Sequence, residues 1–528
     1  MALRLSHLVV AAALASCAGS SPAPTTVELR LVAFNDFHGH LEAAATLAGA
    51  IRALRAGHAN SAVVAAGDLV GASPLPSALF MDEPTVDALS QAGLEVSSAG
   101  NHEFDHGRAR LLRLQTEARF HWLAANVFDE ATGKPFLPSF EIREYGAVRV
   151  AFVGAVLRST PQAVVASGVE GLEFRDEAAS VNSLIPEIRA KGASAIVLLI
   201  HQGGHLPGPY DDPACPGFDG PIVDIVRRLD PAVDIVVSGH THEAYACTLG
   251  GRPVVSAAAH GKMLAAIDLT IDAAAHRVTS SHTELVLVDP RHFAPDPGVE
   301  AYVARIDARA APRAGRVVGV VAGDLDTLPN AAGQSRLGQF VADAQLDAMR
   351  EAGAQVAFVN AGGLRAPLRG RPPDGRVTFG DLFASQPFGN FLVAITLTGT
   401  QVSQLLEEQF RGRSIAERPR ALAVSRGFEY AWDGSRRPGH RIVAGSIRLE
   451  GRKITPHGLY RVVVNNFLVD GGESYSVFRT GVNRVDGPLD VEALERRVAS
   501  NAKLPADTPE RVIRVDAGAA RRRGVSPP

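Results

Sequence analysis

Short apolar runs recur along the first half of the chain, and a polar turn follows each one. Leu29–Phe34, Ala62–Ala66, Leu94–Ala99, Ala195–Ile200 and Asp234–Ser238 have the length and apolar density of buried strands. Between them, Pro84–Ala92 and Val181–Lys191 repeat apolar residues at helical spacing. Residues 27–295 therefore read as one α/β domain, after a leader and tether over 1–26. Residues 296–316 contain a lone helix with polar flanks, suited to joining two domains. A second α/β pattern occupies 317–516, with a helix at Arg336–Ala352, a strand at Ala354–Val359, a helix at Thr400–Phe410 and a strand at Leu459–Asn465. The arginine-rich end, 517–528, has the composition of a disordered tail. No internal repeat is present in the sequence.

A chain of 528 residues exceeds one ordinary core, which agrees with two domains. Hydrophobic content of 46% and charged content of 21% describe a globular protein. The net charge of −3 argues against a general nucleic-acid binder. No nucleic-acid polymer and no protein partner is expected.

The first residues carry a targeting pattern. Arg4 precedes a short apolar stretch, Leu8–Ala15, which is too short to span a bilayer. Leu14-Ala15-Ser16-Cys17 then resembles a bacterial lipobox, so Cys17 is expected to carry lipid and to anchor the exported chain to a membrane. Ala18 in the next position favours the outer membrane, by resemblance to other lipoproteins. The alternative is simple cleavage near the same place, leaving a free periplasmic protein. An exported chain meets an oxidising compartment, so Cys215 and Cys247 are expected to pair; two buried free thiols are the alternative.

The turns after the five apolar runs hold the chemistry. They read Asp36-Phe37-His38, Gly67-Asp68, Gly100-Asn101-His102-Glu103, His201 and Gly239-His240-Thr241-His242. Strand ends on one edge of an α/β sheet converge, so five such ends can build one site. Oxygen and imidazole donors without thiolate suit divalent ions such as zinc or manganese. The set is too rich for one ion and right for two. Asp36 and His38 lie two apart on an extended segment and can reach one ion. The two oxygens of Asp68 can bridge two ions, Asn101 offers a neutral carbonyl, and His240 and His242 can serve one ion each. His102 falls at the rim, with Asp105 three residues on to orient its ring. A protonated imidazole there contributes roughly 10²–10⁴ in rate. His106, His121, His205 and His260 read as ordinary loop histidines.

These motifs, in this order, resemble those of the 5′-nucleotidase family of calcineurin-like metallophosphoesterases. The resemblance implies a four-layer β-sandwich flanked by helices, followed by an α/β substrate domain. It implies two divalent ions, one held by Asp36, His38, Asp68 and His242 and the other by Asp68, Asn101, His201 and His240. It also implies a catalytic dyad of His102 and Asp105, and attack on phosphorus by a hydroxide bridging the ions.

Three motifs of the second domain carry the resemblance further: Asn360-Ala361-Gly362-Gly363-Leu364-Arg365, Pro387-Phe388-Gly389-Asn390, and Asn466-Phe467 through Gly471-Gly472-Glu473. Glycines such as Gly363 let backbone approach a ligand, Arg365 offers a fork of donors, and two rings can stack on a base. In the family, residues matching Phe388, Phe467, Asn360 and Arg365 contact the nucleotide. Departures are also present. The family's arginine before its first C-terminal helix is Ala331 here, followed by Gln334 and Ser335, with Arg336 the nearest substitute. The family's sugar-binding aspartate is Glu473, followed by Ser474. The expected activity is phosphate release from extracellular nucleotides, with UDP-sugar or 2′,3′-cyclic-nucleotide hydrolysis as the near alternatives. A sulfur-oxidation thiohydrolase and a non-catalytic surface nucleotide binder are the more distant ones.

Overall fold

The computed structural model describes residues 26–515 apart from 213, 322, 412–418, 420 and 501–509. Cys17, most of the leader and the tail lie outside the described residues.

Two six-stranded sheets face each other in the first domain. The first runs in the order 277–287, 263–272, 26–34, 61–65, 96–98, 121–123, and the second 244–249, 252–257, 235–238, 195–201, 148–156, 140–145. Alternate residues of each strand point to opposite faces. Leu31, Val64, Phe152, Leu199 and Ile267 fill the space between the sheets. Val32 and Phe34 turn the other way, onto Leu47, Ile51, Val86 and Leu89 of helices Leu41–Arg55 and Glu83–Ala92. Helices Glu177–Ala190 and Pro221–Arg228 cover the second sheet through Val181, Ile188, Ile222 and Val226. The result is the expected four-layer sandwich. The central strands, such as 61–65, 195–201 and 235–238, are buried on both faces, which is why they read as continuous apolar runs.

Parallel register sets the functional edge. Phe34 pairs beside Ala65, and Val64 beside Val96, so the loops after these strands leave side by side. In the second sheet Ser238 pairs beside Ile200, bringing His201 next to the loop that carries His240.

The connecting helix spans Pro297–Ala314. Asp296 starts it, accepting hydrogen bonds from the backbone N–H groups of Gly298 and Val299. It is not free-standing, because Val299, Val303 and Ile306 are buried in the helix layer of the first domain.

The second domain is built on a five-stranded sheet in the order 423–424, 356–359, 459–465, 391–398, 482–489. Phe358, Ile395, Val462 and Leu405 lie in its main core, and Ala357, Ala394 and Val463 face Leu346 and Met349 on the other side. The helix expected over Arg336–Ala352 stops at Ala348, and a single 3-10 turn follows before Gly353 at φ 81°. Cys215 and Cys247 form a disulfide. No helix among the described residues is long and apolar enough to cross a membrane.

Candidate active site

The strand-end loops of the two sheets meet in one buried cluster. Asp36, His38, Asp68, Asn101 and His201 are all at most 2% exposed, and His240 and His242 close the cluster from the second sheet. Ligand-type atoms gather in three overlapping groups: Asp36 with His38 and His242, His38 with Asp68 and His102, and Asp68 with His201 and His240. Asp68 belongs to two of them, which suits a bridging carboxylate.

Backbone strain accompanies this convergence. Asp36, His38, Asp68, His240, His242 and His260 all adopt left-handed φ between 49° and 75°. Such non-glycine conformations are costly and persist where surrounding structure imposes them. The surrounding structure is visible. The buried Glu103 carboxylate accepts the N–H groups of Asp68, Leu69 and Gly100. Asp36 accepts the N–H of His240 at 2.9 Å and the side-chain amide of Asn35 at 2.7 Å.

Hydrogen bonds fix the histidine tautomers. His38 donates from Nδ1 to the Gly71 carbonyl at 2.9 Å, and His201 donates from Nδ1 to the Ala66 carbonyl at 2.7 Å. Each neutral ring then presents an Nε2 lone pair to the cluster. His201 Nε2 lies 3.0 Å from Asp68 Oδ2, and His38 Nε2 lies 3.0 Å from His242 Nε2. Acceptors facing acceptors is an arrangement that a bound cation stabilises. The buried Oδ1 of Asn101 has no protein partner, so a neutral oxygen donor is also aimed inward. The residues present fit divalent ions. Without an ion, a proton on His201 takes the cation's place between Nε2 and Asp68. Burial disfavours the charged form of His201, but Asp68 outweighs it and raises the pKa to about 10. Burial and the neighbouring His201 push His240 down to about 4.

His102 follows Asn101 in a short 3-10 turn, His102–Phe104. Its Nδ1 lies 2.7 Å from Asp105 Oδ2, which leaves Nε2 for a ligand. Burial opposes the charged ring, but Asp105 and Asp68 outweigh it and raise the pKa.

The second domain completes the site. A cavity of about 410 Å³ is lined by His102, Asn360, Gly363, Arg365, Phe388 and Phe467, among others. The Phe388 ring stacks on His102 at 5.7 Å and 23°, and Arg365 lies 5.9 Å from the same ring. Asn360 donates to Glu473 Oε1 at 2.6 Å. Glu473 has φ 50° and also lines the cavity. Every substrate-binding residue expected from sequence thus reaches one wall of this cavity. Arg336 does not: it is exposed and lines neither this cavity nor the next. Ala331 is exposed as well.

A second cavity of about 360 Å³ shares Arg365 with the first and is also lined by His40, His242, His260, Ser335 and several apolar residues. His260 is the residue the sequence reading underrated. Its ring stacks on His40 at 3.9 Å and lies 5.4 Å from that of His242. It follows strand Arg252–Ala257 of the second sheet, so the strand-end argument applied to the candidate ligands reaches it too. His205 pairs with Glu243 in a loop as expected; His121 pairs with Glu141 but begins strand 121–123 rather than lying in a loop, and His106 lines the first cavity.

Comparison with known proteins agrees with this architecture. Residues 29–244 match the calcineurin-like phosphoesterase family, and residues 317–480 match the 5′-nucleotidase C-terminal domain family. The chain is 30% identical over 521 residues to endonuclease YhcR of Bacillus subtilis, covering 93% of this chain and 41% of that protein. It is 29% identical to cell wall protein Lmo0130 of Listeria monocytogenes, covering 87% of this chain and 65% of that one. The chain thus spans less than two thirds of either relative. A solved 5′-nucleotidase precursor from Thermus thermophilus superposes with a TM-score of 0.76 at 26% identity, over 92% of this chain and 99% of that one. Both domains and the order of their motifs place the chain in the 5′-nucleotidase family of calcineurin-like metallophosphoesterases.

Proposed function

We propose that this protein is an exported, metal-dependent phosphoester hydrolase that releases phosphate from nucleotides. One observation carries the reading: the aromatic cavity opens directly onto the histidine–carboxylate cluster, with Phe388 stacked against His102. A flat base held by Phe388 and Phe467 leaves its phosphate end facing the cluster.

In this reading Asp36, His38, Asp68 and His242 hold one divalent ion, and Asp68, Asn101, His201 and His240 hold the other. When bound, such a pair supplies Lewis acidity and acidifies water for attack on phosphorus. The chain's own residues do the rest. Asp105 holds the His102 ring by Nδ1, and His102 delivers a proton from Nε2 to the leaving oxygen. Arg365 neutralises phosphate charge; its own charge reaches the cluster, adding to burial in disfavouring protonated His38 and His260. Asn360 and Glu473, already joined, offer a paired amide and carboxylate to sugar hydroxyls.

The second cavity favours one alternative, hydrolysis of a phosphate with two substituents, such as a UDP-sugar. A monoester occupies only the aromatic side of Arg365, whereas the second substituent of a diester would enter beside His242 and His260. Export is supported by the Cys215–Cys247 disulfide, which suits an oxidising compartment, and by the Listeria relative's description as a cell wall protein. Lipid at Cys17 would supply the anchor.

Phosphate release by the metal-loaded protein, measured across AMP, ADP, ATP, UDP-glucose and 2′,3′-cyclic AMP, tests the reading. Turnover of at least one nucleotide is expected. Two bound ions with no turnover of any would reject the nucleotidase assignment, and no bound ion would favour a non-catalytic nucleotide binder.

A further inference from the structure

We propose that Asp82 is a positioning residue for the ion at His38; the proposal rests on the reading of Asp36, His38, Asp68 and His242 as an ion site.

Asp82 stands just before helix Glu83–Ala92, where an aspartate ordinarily caps the helix with its side chain. Here it makes no cap hydrogen bond, and its backbone is left-handed at φ 64°. The carboxylate, 3% exposed, turns back toward the site. Oδ2 accepts the N–H of Gly71 at 3.1 Å, and Oδ1 accepts the Ser77 hydroxyl at 2.8 Å. Ser77 is itself held 2.6 Å from Thr85 Oγ1.

Gly71 links this carboxylate to the ligands. Its carbonyl accepts from His38 Nδ1, and that bond sets the tautomer that aims Nε2 at the cluster. The segment cannot hold this shape unaided, because Gly67, Asp68, Gly71 and Ala72 all have left-handed φ. Glu103 ties its start, through the N–H groups of Asp68 and Leu69. Asp82 ties its end. There is no slack between: a Cβ on Gly71 would lie 2.7 Å from His102 Cβ and 2.8 Å from Asp105 Oδ2. Movement of Gly71 therefore shifts both the acceptor of His38 and the floor under His102.

Asp82→Gly separates side chain from backbone, since glycine takes φ 64° without strain. Asp82→Asn is the rescue. Asparagine also tolerates left-handed φ, its carbonyl can accept from Gly71, and its amide can donate to Ser77. The experiment is titration of the metal-free, full-length protein with Mn²⁺, alongside melting of the metal-free form and kcat and KM at fixed Mn²⁺. Wild type should bind two ions; fewer would overturn the ion-site reading and this proposal together. Given two, Asp82→Gly should weaken one ion about 10-fold, the lower end for groups that orient a ligating histidine. The other ion should be unaffected. Its kcat should fall by a similar factor with KM unchanged, excess Mn²⁺ should restore turnover, and the metal-free melting temperature should drop only modestly, since two donors lose their acceptor while the fold is kept. Asp82→Asn should match wild type. Wild-type binding of both ions by Asp82→Gly, or equal losses in the glycine and asparagine variants, would overturn the proposal. Should Asp82→Gly not fold, Ser77→Ala decides: a weaker loss at the same ion supports the proposal, and unchanged binding overturns it.

Discussion

The two halves of the site are held in different ways. The cluster end hangs on strand edges, and buried hydrogen bonds fix each ligand from behind: Gly71 behind His38, Ala66 behind His201, Glu103 behind Asp68. The substrate end sits on loops of the second domain, where polar side chains brace one another, notably Asn360 to Glu473 and Asn465 to Asn360. A centre that must place several donors on one point needs that rigidity. A pocket that recognises a flat base and a sugar needs shape and a few donors, and it tolerates change. The departures from the family pattern fall on the substrate side, at Ala331 and Glu473.

This contrast can be broken by substitutions at either end. The largest effect is expected from Asp68→Ala. Asp68 serves two of the three ligand groups, so the variant should bind fewer than two ions and turn over at background. Metal analysis beside phosphate release checks this; full activity with one ion would end the bridging assignment.

His102→Ala should keep both ions and lose roughly 10²–10⁴ in kcat. Its partner gives a pH signature. Despite burial, Asp105 and Asp68 raise the pKa of His102, so the protonated ring persists to higher pH. Activity that needs this ring charged is lost as pH rises through that pKa. Asp105→Asn removes one raising charge, so the alkaline limb of the pH–rate profile should move to lower pH. An unmoved limb would remove His102 from the acid role.

At the substrate end the effects should be smaller and fall on KM. Stacking on an aromatic ring is worth about 1–3 kcal/mol, so Phe388→Ala should raise KM for a nucleotide about 5–150-fold. Glu473→Asp restores the family's shorter acid and lengthens the reach to Asn360. One hydrogen bond of about 0.5–1.5 kcal/mol predicts a change in KM of about 2–10-fold for ribonucleotides. Comparison with the 2′-deoxynucleotide locates the contact, since a sugar role predicts little change there.

The sequence made the cluster end readable because each ligand follows an apolar run, and the sheets' parallel register gathers those ends. His260 escaped because two alanines, Ala258 and Ala259, separate strand Arg252–Ala257 from it and dilute the motif. Asp82 escaped because Asp before Glu-Pro carries the signature of a helix cap, and only the folded chain turns its carboxylate to Gly71. The docked face of helix Pro297–Ala314 was encoded in the spacing of Val299, Val303, Ile306 and Ala310, which the polar flanks obscured. The substrate residues were readable only through family motifs, since a phenylalanine beside a turn looks like any core residue until two domains share a cavity.

The most direct test is phosphate release from AMP by the full-length protein, titrated with Mn²⁺ from the metal-free state. Release should rise as two ions bind per chain and should vanish in Asp68→Ala. Release that is independent of added metal and persists in Asp68→Ala would contradict the account.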